Sequence, residues 1–179
     1  MPKTRITSPD SIALLKADHR AASALFKRFE ASKSSSAKGK IAQQVCTALI
    51  IHTMIEEEIF YPGVKDAIDD DLYQEAYVEH DGAKVMIAEI LAQSPEADFY
   101  DAKVKVLSEM IKHHVKEEEQ PGGLFAQARK GDVDLKALGA ALKARKAELS
   151  AQFKRSGPPA PQTKVMKGGR LERGTQPQA

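Results

Sequence analysis

Tryptophan is absent, cysteine occurs once, and aromatic residues make up only 6% of the 179 positions. The single cysteine, Cys46, excludes an intrachain disulfide. Its apolar neighbours make it a buried small side chain rather than a reactive thiol. A core poor in aromatics has to be built from Leu, Ile, Val and Ala, which suits helices. No apolar run approaches the roughly 18 residues that span a bilayer, and Met1 to Asp10 lacks the hydrophobic stretch of a signal peptide. Neither sign of charge dominates: 27 basic against 25 acidic residues leave +2. That balance does not point to nucleic acid or an anionic membrane as the main partner. A cytoplasmic chain with one domain is expected, its 42% hydrophobic content sufficient for a core.

Apolar residues recur every three and four positions, the period of one helix face. The first predicted helix starts at Ser8-Pro9-Asp10 and runs to about Glu30, with Ile12, Leu15, His19, Ala22, Phe26 and Phe29 on one stripe. A polar break over residues 32–39 follows. The second helix spans about Lys40 to Tyr61, with Ile41, Val45, Ala48, His52, Ile55/Glu56 and Ile59 in line, and Pro62-Gly63 stops it. The third runs from Asp70 or Asp71 to about Gln93 (Leu72, Ala76, His80, Ala83, Ile87, Ile90). The fourth runs from about Ala97 to Glu119 (Tyr100, Val104, Leu107, Ile111, His114, Glu118). Short connections make successive helices antiparallel, so residues 1–130 are expected to form an up-down-up-down four-helix bundle, an all-α fold. Residues 131–156 add a C-terminal helix with a basic face (Lys136, Lys143, Arg145, Lys146), which is read as solvated. Residues 157–179 are expected to be a disordered, basic, Pro/Gly-rich tail. Its sparse charges (Lys164, Lys167, Arg170, Arg173) do not amount to a nucleic-acid or membrane site.

Four of the five histidines, His19, His52, His80 and His114, fall one per helix on these buried stripes. At about 1.5 Å of rise per residue, His19, His52 and His80 lie roughly 14–16 Å from one end of the bundle, and His114 about one turn away. Two carry a glutamate on the same face one turn on, as His52-x-x-x-Glu56 and His114-x-x-x-Glu118. Imidazoles and carboxylates converging in a core are costly to bury. A metal makes them tolerable, and the donor set suits iron, manganese or zinc. His113, one residue off the stripe, is expected in solvent, as are Glu57, Glu58, Glu117 and Glu119.

The segments Leu15-Lys16-Ala17-Asp18-His19-Arg20, His52-Thr53-Met54-Ile55-Glu56-Glu57 with Phe60-Tyr61-Pro62, Glu79-His80 and His113-His114-Val115-Lys116-Glu117-Glu118 make residues 8–130 resemble the haemerythrin-like, or HHE cation-binding, family. The resemblance implies a non-haem pair of irons bridged by carboxylates, held by His19, His52, Glu56, His80, His114 and Glu118. The oxygen-carrying haemerythrins have a further histidine on the third helix. Here Ala76 and Lys84 stand four residues either side of His80. Water, Glu79, Tyr77 or Glu119 are the candidates for that place. The leading expectation is a protein that binds or senses O2, NO or peroxide. A di-iron enzyme consuming peroxide or nitric oxide is the first alternative, and a metal-free partner-binding bundle the second.

Overall fold

The computed structural model describes residues 10–169. In order these form α1 (Ser11–Ala31), α2 (Ser35–Ile55), a π-helical turn (Glu56–Phe60), α3 (Tyr61–Val64), a 3-10 turn (Lys65–Ala67), α4 (Asp70–Leu91), α5 (Tyr100–Glu119), α6 (Leu124–Lys130) and α7 (Leu135–Ser156). No strand occurs among the described residues. Each long helix of the bundle touches two others: α1 packs on α2 and α5, and α4 packs on α2 and α5. The predicted stripe of α1 is buried throughout, from Ile12 to Phe29. Burying one such Leu, Ile or Phe is worth about 1.5–3 kcal/mol, so these rows align the helices and set the level of the histidines. The added C-terminal helix is α7, which lies against α1 and α2.

Four boundaries differ from the sequence reading. The first is the end of the second helix: Pro62 and Gly63 do not stop it but lie inside α3, where Pro62 falls in the first turn and its missing N–H is tolerated, and the 3-10 turn carries the path on to Ala67. Asp10 caps α1 by accepting the Ala13 N–H at 2.8 Å, while Ser8 and Pro9 lie outside the described residues. The expected break at 32–39 shrinks to three residues, because the Ser34 hydroxyl accepts the Ala37 N–H and opens α2 early. Gly39 is therefore helical. It is a contact point and not a breaker, since a Cβ there would stand 2.4 Å from Pro95. α5 starts at Tyr100 and not Ala97, because successive turns bonded Ala97 N–H to Ser94 O and Tyr100 N–H to Ala97 O occupy the preceding segment.

Cys46 is fully buried, and burial pushes its thiol up to about 12. The thiolate is the reactive form, so native protein at pH 8 is expected to resist a thiol-specific disulfide reagent. Denatured protein should react in full. Rapid modification of native protein would contradict this placement.

The basic face of α7 is partly used by the bundle. Arg145 pairs with Glu58 at 2.7 Å, and Lys146 pairs with Asp18. After Gly157, whose φ of 73° ends the helix as glycine readily does, residues 157–169 hold neither helix nor strand. Their backbone is nonetheless pinned. The N–H groups of Lys164, Val165 and Met166 all donate to the buried carboxylate of Asp81 on α4, at 2.7–2.9 Å.

Candidate metal centre

The four stripe histidines meet in two pairs. His19 Nε2 and His52 Nε2 are 3.1 Å apart, and His80 Nε2 and His114 Nε2 are 3.2 Å apart. Between the pairs stand the two predicted glutamates. Glu56 Oε2 lies 3.2 Å from His52 Nε2 and 3.3 Å from His80 Nε2. Glu118 Oε2 lies 3.3 Å from His19 Nε2 and 3.7 Å from His114 Nε2. Each carboxylate thus touches one ring of either pair. All six side chains are buried. His114 is level with the others because the bundle ends are not flush. α5 stops at Glu119, and the space beyond is filled by α6, whose Phe125 stacks on His19 at 5.8 Å.

Behind the rings runs a second set of acids, arranged cyclically. Asp18 of α1 faces His52 of α2, with Oδ2 3.6 Å from Nδ1. Glu57, after α2, accepts from His80 Nδ1 of α4 at 3.0 Å. Glu79 of α4 accepts from His114 Nδ1 of α5 at 2.8 Å. Glu119 of α5 accepts from His19 Nδ1 of α1 at 2.7 Å. Each helix supplies the acid for a ring on the next. A carboxylate behind Nδ1 keeps the proton there and turns the Nε2 lone pair inward, the outer-shell arrangement of metal-ligating histidines. Glu57 also accepts from Lys84 at 2.6 Å, and Lys84 reaches Asp81 at 3.2 Å. A polar chain therefore links His80 to the pinned tail.

Tyr61 is the residue that sequence periodicity missed. Its hydroxyl donates to Glu118 Oε1 at 3.0 Å and lies 3.2 Å from His80 Nε2, fully buried. The π turn brings it there. Tyr61 N–H bonds to the carbonyl of Glu56, five residues back, which inserts one extra residue into the helix. A strict 3.6-residue count carries the stripe from Glu56 to Ile59. The insertion instead buries Phe60 and Tyr61 and leaves Ile59 half-buried. The residues considered for the missing ligand lie elsewhere. Glu79 and Glu119 sit behind rings, and the Tyr77 hydroxyl reaches the Glu57 carbonyl at 3.5 Å. Glu57 is buried on His80 rather than solvated, and Glu119 is half-buried. His113 is exposed, 3.2 Å from Glu79.

Burial and the close approach of like and unlike groups set the electrostatics of the cluster. Burial pushes His52 down to about 4. Burial, then the neighbouring His114, holds His80 well below its usual value. For His114 burial opposes protonation, but Glu118 and Glu79 outweigh it and its pKa rises. Burial, then repulsion from Glu118, lifts Glu56 well above the carboxylate range. Glu118 is held down to about 2, because His114 and His19 outweigh its burial.

These groups fit a cation. The rings face each other through Nε2, with an acid on the Nδ1 side of each. Both oxygens of Glu56 and Oε2 of Glu118 are buried with no hydrogen-bond donor. Such orphaned acceptors cost about 1–3 kcal/mol each, and a cation among them removes that penalty. His19, His52 and Glu56 form one compact set of donor atoms, and Glu56, His80 and His114 another, sharing Glu56.

Comparison with known proteins agrees. Residues 10–121 match the family model of the Hemerythrin HHE cation binding domain. A crystal structure of an HHE cation binding domain-containing protein from Mycobacterium kansasii is similar in fold, with a TM-score of 0.68, 19% identity and coverage of 84% of this chain and 95% of that one. A DNA nickase from Nostoc is 29% identical over 116 residues, which are 65% of this chain and 32% of the nickase. The chain thus spans about a third of the length of that curated relative.

Proposed function

Because the chain belongs to the haemerythrin HHE cation-binding family, we propose that it is an iron protein whose ligands are His19, His52, Glu56, His80, His114 and Glu118, with the two glutamates shared between a pair of ions. The observation that carries this reading is the inward convergence of four Nε2 atoms around three donorless carboxylate oxygens, both of Glu56 and Oε2 of Glu118, with each ring faced from behind by an acid of another helix. Imidazole and carboxylate without thiolate suit iron among the metals that oxygen and nitrogen donors hold. Iron held by these residues would supply redox chemistry toward O2, NO or peroxide.

The protein's own groups do the rest. Asp18, Glu57, Glu79 and Glu119 orient the rings and stabilise the ligating tautomer. Phe60 and Phe125, in edge contact at 5.5 Å, help exclude water from the α6 end. Tyr61 Oη holds a proton on Glu118 and is the group placed to stand in for the absent fifth histidine. Burial and the nearby Glu118 and Glu56 hold that hydroxyl well above its ordinary value, so it would join the centre only by giving up its proton in exchange for the cation. It is the absent fifth histidine that leans the reading to sensing or consuming O2, NO or peroxide over reversible oxygen carriage. Nucleic acid stays outside it. The net charge is +2, and Arg145 and Lys146 are taken up by Glu58 and Asp18.

Tyr61→Phe tests the assignment. Iron-loaded wild type should show visible phenolate-to-iron absorption. The variant should keep its iron and fold while losing that absorption. An unchanged spectrum would remove Tyr61 from the centre.

A further inference from the structure

A cavity of about 600 Å3 lies between α1, α2 and α7 and reaches the histidine layer, where His19, His52, His80 and His114 all border it. It exists because the neighbouring layer is thin. Ala22 follows His19 by three residues and Ala48 precedes His52 by four, so both point where the histidines point. Apolar layers elsewhere on the same stripes carry Leu, Ile, Val or Phe. Two alanines leave space that α7 roofs with Phe153.

The size does not match a diatomic molecule or peroxide. At roughly 30 Å3 per water, the space equals about twenty waters, within the range of organic-ligand pockets. Its chemistry is graded. Deep inside, Leu49, Ile51 and Ile111 give an aliphatic wall, and the acid Asp18 is already paired with Lys146. At the rim Lys40 and Lys154 are exposed, and neither has a carboxylate partner among the described residues. Lys40 stands twelve residues before His52 on α2, about 18 Å along the axis, which leaves room for an extended alkyl chain.

We propose that this cavity binds an aliphatic monocarboxylate of medium chain length, with the carboxylate held at the rim by Lys40 and Lys154 and the alkyl chain running along the alanine layer toward the histidines. Apolar burial supplies the affinity, and the two lysines select an anionic head over a neutral one. The assignment rests on the metal-centre reading only for what the far end of the chain meets.

Dodecanoate, kept below its micellar concentration, is the probe, titrated calorimetrically into iron-loaded full-length protein whose metal content is measured on the same sample. One dodecanoate per chain with micromolar affinity is expected. Lys40→Glu with Lys154→Glu, both surface changes, should weaken it at least tenfold while leaving dodecanol binding unchanged. Ala48→Phe, which fills the half-buried wall, should abolish both. Absence of saturable binding in protein that holds metal overturns the proposal, as does equal binding by the double lysine variant. Binding by protein found to hold no metal would sustain the cavity site and overturn the metal reading instead.

Discussion

Glu56→Ala is expected to release metal and to reverse the sign of its own stability effect depending on whether metal is present. With metal at about a thousand times its Kd, binding adds about 4 kcal/mol to the folded state. Losing that contribution should lower Tm by roughly 10 °C in a chain of this size. The metal-free protein should behave differently. There Glu56 is a fully buried carboxyl with no hydrogen-bond donor on either oxygen, its pKa driven up by burial and by Glu118. Deleting it removes an unsatisfied group worth about 1–3 kcal/mol, against a small cavity term. The metal-free variant should therefore match or exceed the metal-free wild type. Thermal unfolding of both proteins, with and without a chelator, gives the four values needed. A similar loss in both states would mean that Glu56 is a structural core residue.

The second large effect is expected from a residue that need not touch metal. Glu119→Ala should weaken metal binding 10- to 100-fold, the usual consequence of removing an outer-shell partner of a ligating histidine. Glu119 accepts from His19 Nδ1 at 2.7 Å and pairs with Lys16 at 3.2 Å. The Lys16 pair is half-exposed and worth at most about 1 kcal/mol, and the buried His19 Nδ1–H left without its acceptor costs about 1–3 kcal/mol, so the metal-free variant should stay folded with a modestly lower Tm. Glu117→Ala is the matched control: Glu117 lies two residues away, and among the described residues its side chain bonds only to Gln120. Competition against a metal-sensitive dye reads both variants. Equal affinities would show that His19 needs no carboxylate to hold its orientation.

The residues nearest the centre were legible because helical periodicity is a local property. One histidine per stripe, and two His-x-x-x-Glu repeats, place six side chains on buried faces before any packing is known. The ring of supporting acids was not legible in that way. Asp18, Glu57, Glu79 and Glu119 each act on a histidine of a different helix, and their own stripes gave them no reason to be inside. A signal was nonetheless present, since each adjoins a core residue in Asp18-His19, Glu56-Glu57, Glu79-His80 and Glu118-Glu119. Tyr61 was hidden by a change of period, because one extra residue in the π turn moves it from off the stripe to the centre. The early start of α2 was hidden by composition. Three serines and a glycine suggest a break, yet one serine caps the helix and the glycine lets Pro95 approach.

Metal content per chain tests the central claim most directly. Protein purified from iron-supplemented cells, analysed by elemental measurement with an absorption spectrum on the same sample, should hold about two irons, the stoichiometry of a shared carboxylate pair, with near-ultraviolet and visible charge-transfer bands. About one zinc per chain, or no metal with all four histidines intact, would contradict it.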